Sequence, residues 1–170
     1  MAKTPNYMRL NIHPGEWYVG ARYHSIYTVL GSCVSVTAWH PELKLGGMCH
    51  FIVPTLPRGL KDIKVNAGRY ANTALEMMKL ALSAQAPLTE FQLGLFGGSD
   101  TITHFDVGKN NVIYAQQWLA AEQLNANRID IGGRTSRSVT LHISSGVLIV
   151  KHHNMPIINP LPAGINTKRL

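Results

Sequence analysis

The chain has 170 residues, 16 Lys and Arg against nine Asp and Glu for a formal net charge of +7, and 45% apolar against 15% charged residues. That balance supplies an ordinary core for a single domain over residues 1–170 and excludes a disordered chain. No apolar run approaches the ~20 residues of a membrane-spanning helix, and residues 1–9 lack the apolar centre of a signal peptide, so the cytoplasm is the expected compartment.

Residues 25–38 are rich in β-branched side chains and are interrupted once, at Gly31-Ser32, which reads as strand, tight break, strand. A turn follows at 40–44, and residues 45–53 resume an apolar run, the second arm of a hairpin. Pairing this arm with 34–39 sets residues whose numbers sum to about 84 opposite each other, so that His50 faces Val34, one step from Cys33. Residues 54–65 carry Pro, Gly and Lys and read as an exposed loop.

Residues 67–86 place Tyr70, Ala74, Met77, Met78, Leu80, Ala81 and Ala84 at near-helical spacing, predicting an amphipathic helix that ends before Pro87. A strand over 90–96 runs into Gly97-Gly98. A second helix is predicted over 108–124, with Val112, Ile113, Ala115, Gln116, Leu119 and Ala120 on its apolar face. Residues 129–131 form a strand ending at Gly132-Gly133, and 139–150 form a hairpin about Ser144-Ser145-Gly146. The tail after Lys151 has no pattern. The fold class expected is mixed α/β (α+β), a single-domain layered fold of mixed β-sheets with about two packed helices.

The positive charge invites a nucleic-acid reading. Its distribution argues against one, because the cations are scattered singly, with small groups only at Lys61/Lys64/Arg69, Arg128/Arg134/Arg137 and Lys168-Arg169. They read first as solvated surface and second as a face for an acidic protein partner.

Chemistry centres on two cysteines, too few for a disulfide framework and expected as thiols in a reducing compartment, although one Cys33–Cys49 bridge stays open on sequence alone. Cys33 follows Gly31 and Ser32, small residues that leave room for a substrate, the glycine also permitting a turn closed to other residues. A thiol attacks as thiolate, so it needs a basic partner, and His50 lies seventeen residues on. Spacing alone nevertheless favours a buried inert thiol and a core histidine held by a backbone carbonyl. Cys49 adjoins His50 but points to the opposite face of a strand, and reads as a packed thiol.

Cys33, Cys49 and His50, with His40 or His152-His153, offer four zinc ligands in principle, yet no Cys-x-x-Cys, His-x-x-x-His or His-Glu-x-x-His spacing is present. No metal or cofactor is therefore expected. His13, His24, His104 and His142 read as surface or core residues without a shared role. Gly97-Gly98 and Gly132-Gly133 lack the pattern of a phosphate loop and read as turns.

Several stretches together resemble the CheD family of chemoreceptor glutamine deamidases: Thr28-Val-Leu-Gly-Ser-Cys-Val-Ser-Val, Lys44-Leu-Gly-Gly-Met-Cys-His50-Phe-Ile-Val-Pro54, Gly68-Arg-Tyr-Ala-Asn-Thr-Ala74, Leu95-Phe-Gly-Gly98, Asp106-Val-Gly-Lys-Asn-Asn111 and Asp130-Ile-Gly-Gly-Arg-Thr-Ser-Arg-Ser-Val139. They span about residues 22–151, leaving a tail at 152–170. The resemblance implies a protein-glutamine deamidase that converts receptor glutamines to glutamate and ammonia, with Cys33 as nucleophile, His50 as base, Thr28 as the third member, and Gly31 and Ser32 supporting the oxyanion turn. It implies chemoreceptor cytoplasmic helices as partners, a CheC-type phosphatase as a further one, and no membrane insertion. The family's Ile-Gly-Glu-Arg-Asn stretch is replaced by Val107-Gly-Lys-Asn-Asn111, a change that bears on partner contacts. The alternative reading is a catalytically silent adaptor of the same fold that binds such a phosphatase or receptor.

Overall fold

The computed structural model describes residues 7–56, 67–100 and 106–154. Strand β4 (Val34–His40) is buried along its whole length, so it must lie in the middle of a sheet covered on both faces. Its alternate side chains divide accordingly. Val34, Val36 and Ala38 join one core cluster with residues of two helices, α1 (Ala71–Ser83) and α2 (Val107–Ala121). Trp39 joins a second cluster with residues of strands β3 (Ser25–Leu30) and β8 (Thr135–His142), which belong to another sheet.

The first sheet has the order β2-β5-β4-β6-β7, adding β2 (Trp17–Gly20), β5 (Leu45–Cys49), β6 (Gln92–Gly97) and β7 (Ala126–Ile131). The second has the order β1-β3-β8-β9, adding β1 (Arg9–Asn11) and β9 (Leu148–Asn154). Pairs β1/β3 and β6/β7 are parallel and the others antiparallel. The layers are thus sheet, sheet and helices, an α+β arrangement as expected. No helix among the described residues is long and apolar enough to cross a membrane.

Several expectations need correction. Strands β1 and β2 were not foreseen, because three- and four-residue segments carry no measurable periodicity. The first helix is shorter than 67–86; a 3-10 turn at Ala67–Arg69 precedes it, and its buried face is Ala71, Ala74, Leu75, Met78 and Leu82, leaving Leu80 69% exposed. On α2, Ile113 is exposed and the polar Asn111 is buried with Ala115 and Leu119. The last hairpin starts earlier, at Thr135, and β9 continues to Asn154. Residues 57–65 of the expected loop and 155–170 of the tail lie outside the described residues, and Cys33 and Cys49 are both free thiols.

The β4/β5 register differs by one residue from the expected value. The loop closes on the His40–Leu45 pair, with Lys44 in the left-handed region at φ 49°, and the ladder pairs Thr37 with Met48 and Ala38 with Gly47. Val34 consequently faces Phe51, not His50, through Val34 N–H to Phe51 O (3.2 Å) and Phe51 N–H to Val34 O (3.1 Å).

Arg137 is likewise not surface, being 1% exposed. From β8 its Nη1 donates to Gly97 O (2.8 Å) and Asp130 O (2.7 Å), and its Nη2 to Gly132 O (2.5 Å). Asp130 Oδ1 lies 3.5 Å from Nε, an electrostatic contact without hydrogen-bond geometry. One guanidinium thereby clamps the second sheet to the C-terminal ends of β6 and β7. Arg137→Leu should lower the unfolding free energy by about 3–5 kcal/mol, since it takes the guanidinium from the Gly97, Asp130 and Gly132 carbonyls and removes one of the partners of Asp130. Denaturant titration measures this, and a loss below ~1 kcal/mol would show that the clamp is dispensable.

Candidate active site

Thr28 lies between Ile26 and Leu30 on the buried face of β3 and so points from the second sheet into the space between the sheets. Beyond β5 the alternation continues: Met48 packs in the inter-sheet cluster, Cys49 in the helix-side cluster, and His50 returns to the inter-sheet side. The two residues meet there, with Thr28 Oγ1 2.8 Å from His50 Nδ1. The hydroxyl donates its single hydrogen to Ile12 O at 2.7 Å, so toward His50 it can only accept. Nδ1 therefore carries the ring hydrogen and Nε2 is the bare nitrogen.

Nε2 is buried with no hydrogen-bond partner among the described residues, and the ring is 2% exposed. Burial lowers the His50 pKa to about 4; the nearby Ile12 carbonyl opposes that shift, His13 adds to it and Glu16 opposes it. The imidazole is consequently neutral at pH 7, with a free lone pair. Its backbone is fixed by Gly15 N–H to His50 O (2.8 Å) and His50 N–H to Glu16 O (3.0 Å). The short segment around β1 and β2 thus holds His50 from both sides.

Cys33 precedes Val34 and packs, partly buried, against the inter-sheet cluster, the same side as His50. By the observed register it stands level with Ile52, which makes His50 its diagonal neighbour on one face, about 7 Å away at the backbone. Had His50 faced Val34, it would have lain on the helix side with Val34 instead, and Phe51 on the inter-sheet side. Burial pushes the Cys33 thiol up, its own backbone N–H opposing the shift. The resting pair is a neutral thiol and a neutral imidazole, not an ion pair.

The turn carrying Cys33 is anchored by two later amides, Ser99 N–H to Gly31 O (3.0 Å) and Gly98 N–H to Cys33 O (2.9 Å). Gly97 fits beside it only without a side chain: at φ 105°, an added Cβ would lie 2.2 Å from Cys33 O. Gly97-Gly98 is more than a turn, therefore, because it supports the cysteine. Gly31 does not need its conformational freedom, lying outside the left-handed region, but a Cβ there would meet nothing within 4 Å, so the approach to the turn is open. A cavity of about 230 Å³ lies against His50 and Thr28, walled by Ile12, His13, Pro14, Tyr27 and Val29.

The remaining candidates do not converge. Cys49 is fully buried among apolar side chains, its thiol pushed up to about 12, with Sγ 3.7 Å from Val36 O. His40 pairs with Glu90 at 3.0 Å, His152 with Asp130 at 2.7 Å, and His153 with Ser138 at 3.2 Å. His24 and His142 make an edge-to-face ring contact, and His104 lies outside the described residues. Among the described residues no group of three or more His, Cys, Asp or Glu is placed to hold a metal ion. Sequence reasoning gave no role to Asn111, which is buried beside the Cys33 turn; next to Asn110, nothing in the sequence marks which of the two faces inward.

Residues 55–152 match the family model for CheD chemotactic sensory transduction. A protein of Chromobacterium violaceum described as "Probable chemoreceptor glutamine deamidase CheD 1" is 36% identical over 149 residues, covering 82% of this chain and 75% of the relative. Relatives with the same description apart from its number are 31% identical in Pseudomonas syringae pv. tomato, over 92% of this chain and 96% of the relative, and 32% identical in Geobacter sulfurreducens, over 90% and 95%.

The neutral resting pair has a kinetic signature. With the Cys33 thiol above its ordinary value of 9.0, iodoacetamide should alkylate it slowly at pH 7, the rate rising about tenfold per pH unit until the thiol ionises. A fast rate that stays flat down to about pH 5 would instead reveal a standing thiolate–imidazolium pair.

Proposed function

The chain belongs to the CheD family, and from that premise we propose a protein-glutamine deamidase of bacterial chemotaxis whose reaction runs through Cys33, His50 and Thr28. The observation that carries this reading is the His50 ring, tied through Nδ1 to Thr28 and bare at Nε2, on the same sheet face as the Cys33 thiol.

A glutamine side chain enters beside the Gly31–Cys33 turn. His50 Nε2 takes the thiol proton as the Cys33 sulfur lone pair forms a bond to the amide carbon, and the carbonyl π pair moves onto oxygen. Thr28 Oγ1 accepts the Nδ1 hydrogen of the resulting imidazolium and keeps the ring oriented, as the third group does in other triads. The oxyanion then collapses, the C–N bond breaks, and the departing nitrogen leaves as ammonia with the proton from His50. Water, deprotonated by His50, attacks the thioester, and the thiolate leaves and is reprotonated. The products are glutamate and ammonia, and the enzyme returns to its neutral pair.

The substrates proposed are the cytoplasmic helices of chemoreceptors and the compartment proposed is the cytoplasm, with a CheC-type phosphatase as a regulatory partner on the strength of the family resemblance. The net charge of +7 supports association with acidic receptor helices by electrostatic steering.

Incubation with a receptor cytoplasmic fragment should release ammonia and raise the fragment's mass by about 1 Da per glutamine, the change from an amide to a carboxyl group. Cys33→Ala should give no product, His50→Ala should lose on the order of 10²–10⁴ in rate, and Thr28→Val should lose on the order of tenfold or more. Product from Cys33→Ala at the wild-type rate would remove the nucleophile's role, and a silent wild type would leave the adaptor reading. A second series tests steering: kcat/KM should fall as ionic strength rises from ~0.05 to ~0.5 M, and a salt-independent value would exclude it.

A further inference from the structure

On the deamidase reading, the carbonyl oxygen becomes an anion at the moment of attack, and the barrier depends on donors already aimed at it. Among the described residues, the Ser32 and Cys33 amides donate no backbone hydrogen bond, whereas the carbonyls on the same turn are all occupied. Gly31 O and Cys33 O are held by the Ser99 and Gly98 amides. Ser32 O is held by a side chain, Asn111 Nδ2 of α2, at 3.1 Å. The same nitrogen donates its second hydrogen to Ile52 O at 2.8 Å, two residues beyond His50.

Asn111 is fully buried, and an amide nitrogen has two hydrogens, so both are used. One peptide unit joins Ser32 O to the Cys33 N–H, and in a trans peptide these two bonds point in opposite directions. Holding the oxygen toward α2 on the helix side aims the Cys33 N–H away from that helix, toward the side on which the thiol and His50 lie. The second bond fixes the segment that carries His50 against the same side chain. We infer that Asn111 is a positioning residue of the reaction: it orients the Ser32–Cys33 peptide so that the Cys33 N–H stabilises the oxyanion, and it holds that turn in register with His50.

A merely structural Asn111 and a positioning Asn111 differ in one measurable respect. Alkylation of Cys33 by iodoacetamide is a displacement at a saturated carbon and develops no oxyanion, whereas attack on a glutamine amide does. Asn111→Ala should lower kcat for receptor-fragment deamidation by on the order of 10²–10³, with KM changed less than about threefold. The alkylation rate of the same variant at pH 9 should stay within about threefold of wild type. Equal losses in both reactions, or no loss in deamidation, would overturn the inference, and a wild type that releases no ammonia would overturn the deamidase reading beneath it. Should Asn111→Ala fail to fold, the wild-type protein answers directly. A receptor peptide carrying an aldehyde in place of the glutamine amide adds the Cys33 thiol across its C=O bond, the sulfur bonding to carbon and the thiol hydrogen ending on oxygen. A crystal structure of that adduct should place the former carbonyl oxygen within hydrogen-bond distance of the Cys33 N, and an oxygen turned away from it would overturn the assignment.

Discussion

The antiparallel pairing of β4 with β5 sets Val34 opposite Phe51, and the side on which His50 falls follows from that register alone. Side chains alternate along a strand, so a slip of one residue would exchange the inter-sheet side for the helix side at every position from 45 to 51. Both sides are buried, and they differ in what they offer. The helix side is a continuous apolar cluster of Val34, Cys49, Phe51, Leu75 and their neighbours, where an imidazole would find no partner. The inter-sheet side contains Thr28, whose hydroxyl is already committed as a donor to Ile12 O. Packing and hydrogen bonding therefore select the same register, and that register gathers Cys33, His50 and Thr28.

Fixed geometry at this site comes from groups that would otherwise be costly to bury. Arg137 is drawn from solvent against three carbonyls, one of which, Gly97 O, shares a peptide unit with the Gly98 amide that holds Cys33 O. Gly97 leads into Gly98 and Ser99, so one guanidinium sets the path of the loop on which the Gly31 and Cys33 carbonyls rest. Asn111 serves the middle carbonyl from the opposite layer. Such a turn is determined from two sides and has little freedom to relax, which is what a donor aimed at a transient charge requires. The buried polar atoms left without partners include His50 Nε2 and Asn111 Oδ1, both at this site. An unpaired buried acceptor is unfavourable in the resting fold, and at His50 that same vacancy is where the thiol proton goes in the proposed reaction.

Much of this was legible in the sequence, and what was not has physical reasons. Cys33 after two small residues, the hairpin, both helices and the glycine turns carry local signals that survive folding. The register of the hairpin was misread by one residue because it depends on the left-handed Lys44, and lysine carries no advance sign of that conformation. Arg137 could not be told from Arg128 or Arg134, since burial of its guanidinium is decided by carbonyls 40, 7 and 5 residues away. Asn111 sat within a stretch that resembled the family, yet its role depends on which face of α2 meets the sheet. Strands β1 and β2, which flank Ile12 and Glu16 around His50, are too short to show a pattern and exist because the sheets accept them at their edges.

A neutral thiol beside a neutral imidazole suits a reaction that must create charge only when substrate is present. Moving a proton from Cys33 to His50 inside a buried layer makes two opposite charges where there were none, and neither is solvated. In the proposed reaction the cation would be met by Thr28, whose hydroxyl oxygen accepts from Nδ1 more strongly because its own hydrogen is engaged by Ile12 O. In that reaction the anion would form first on sulfur and then on the substrate oxygen, next to the turn whose Ser32 and Cys33 amides donate no backbone–backbone hydrogen bond among the described residues. Charge separation is favourable only while both receiving groups are in place, and the second of them is useful only once a carbonyl carbon lies against the sulfur. In the proposed reaction, the same burial that depresses the basicity of His50 and raises the Cys33 thiol would couple activation of the cysteine to the docking of an amide.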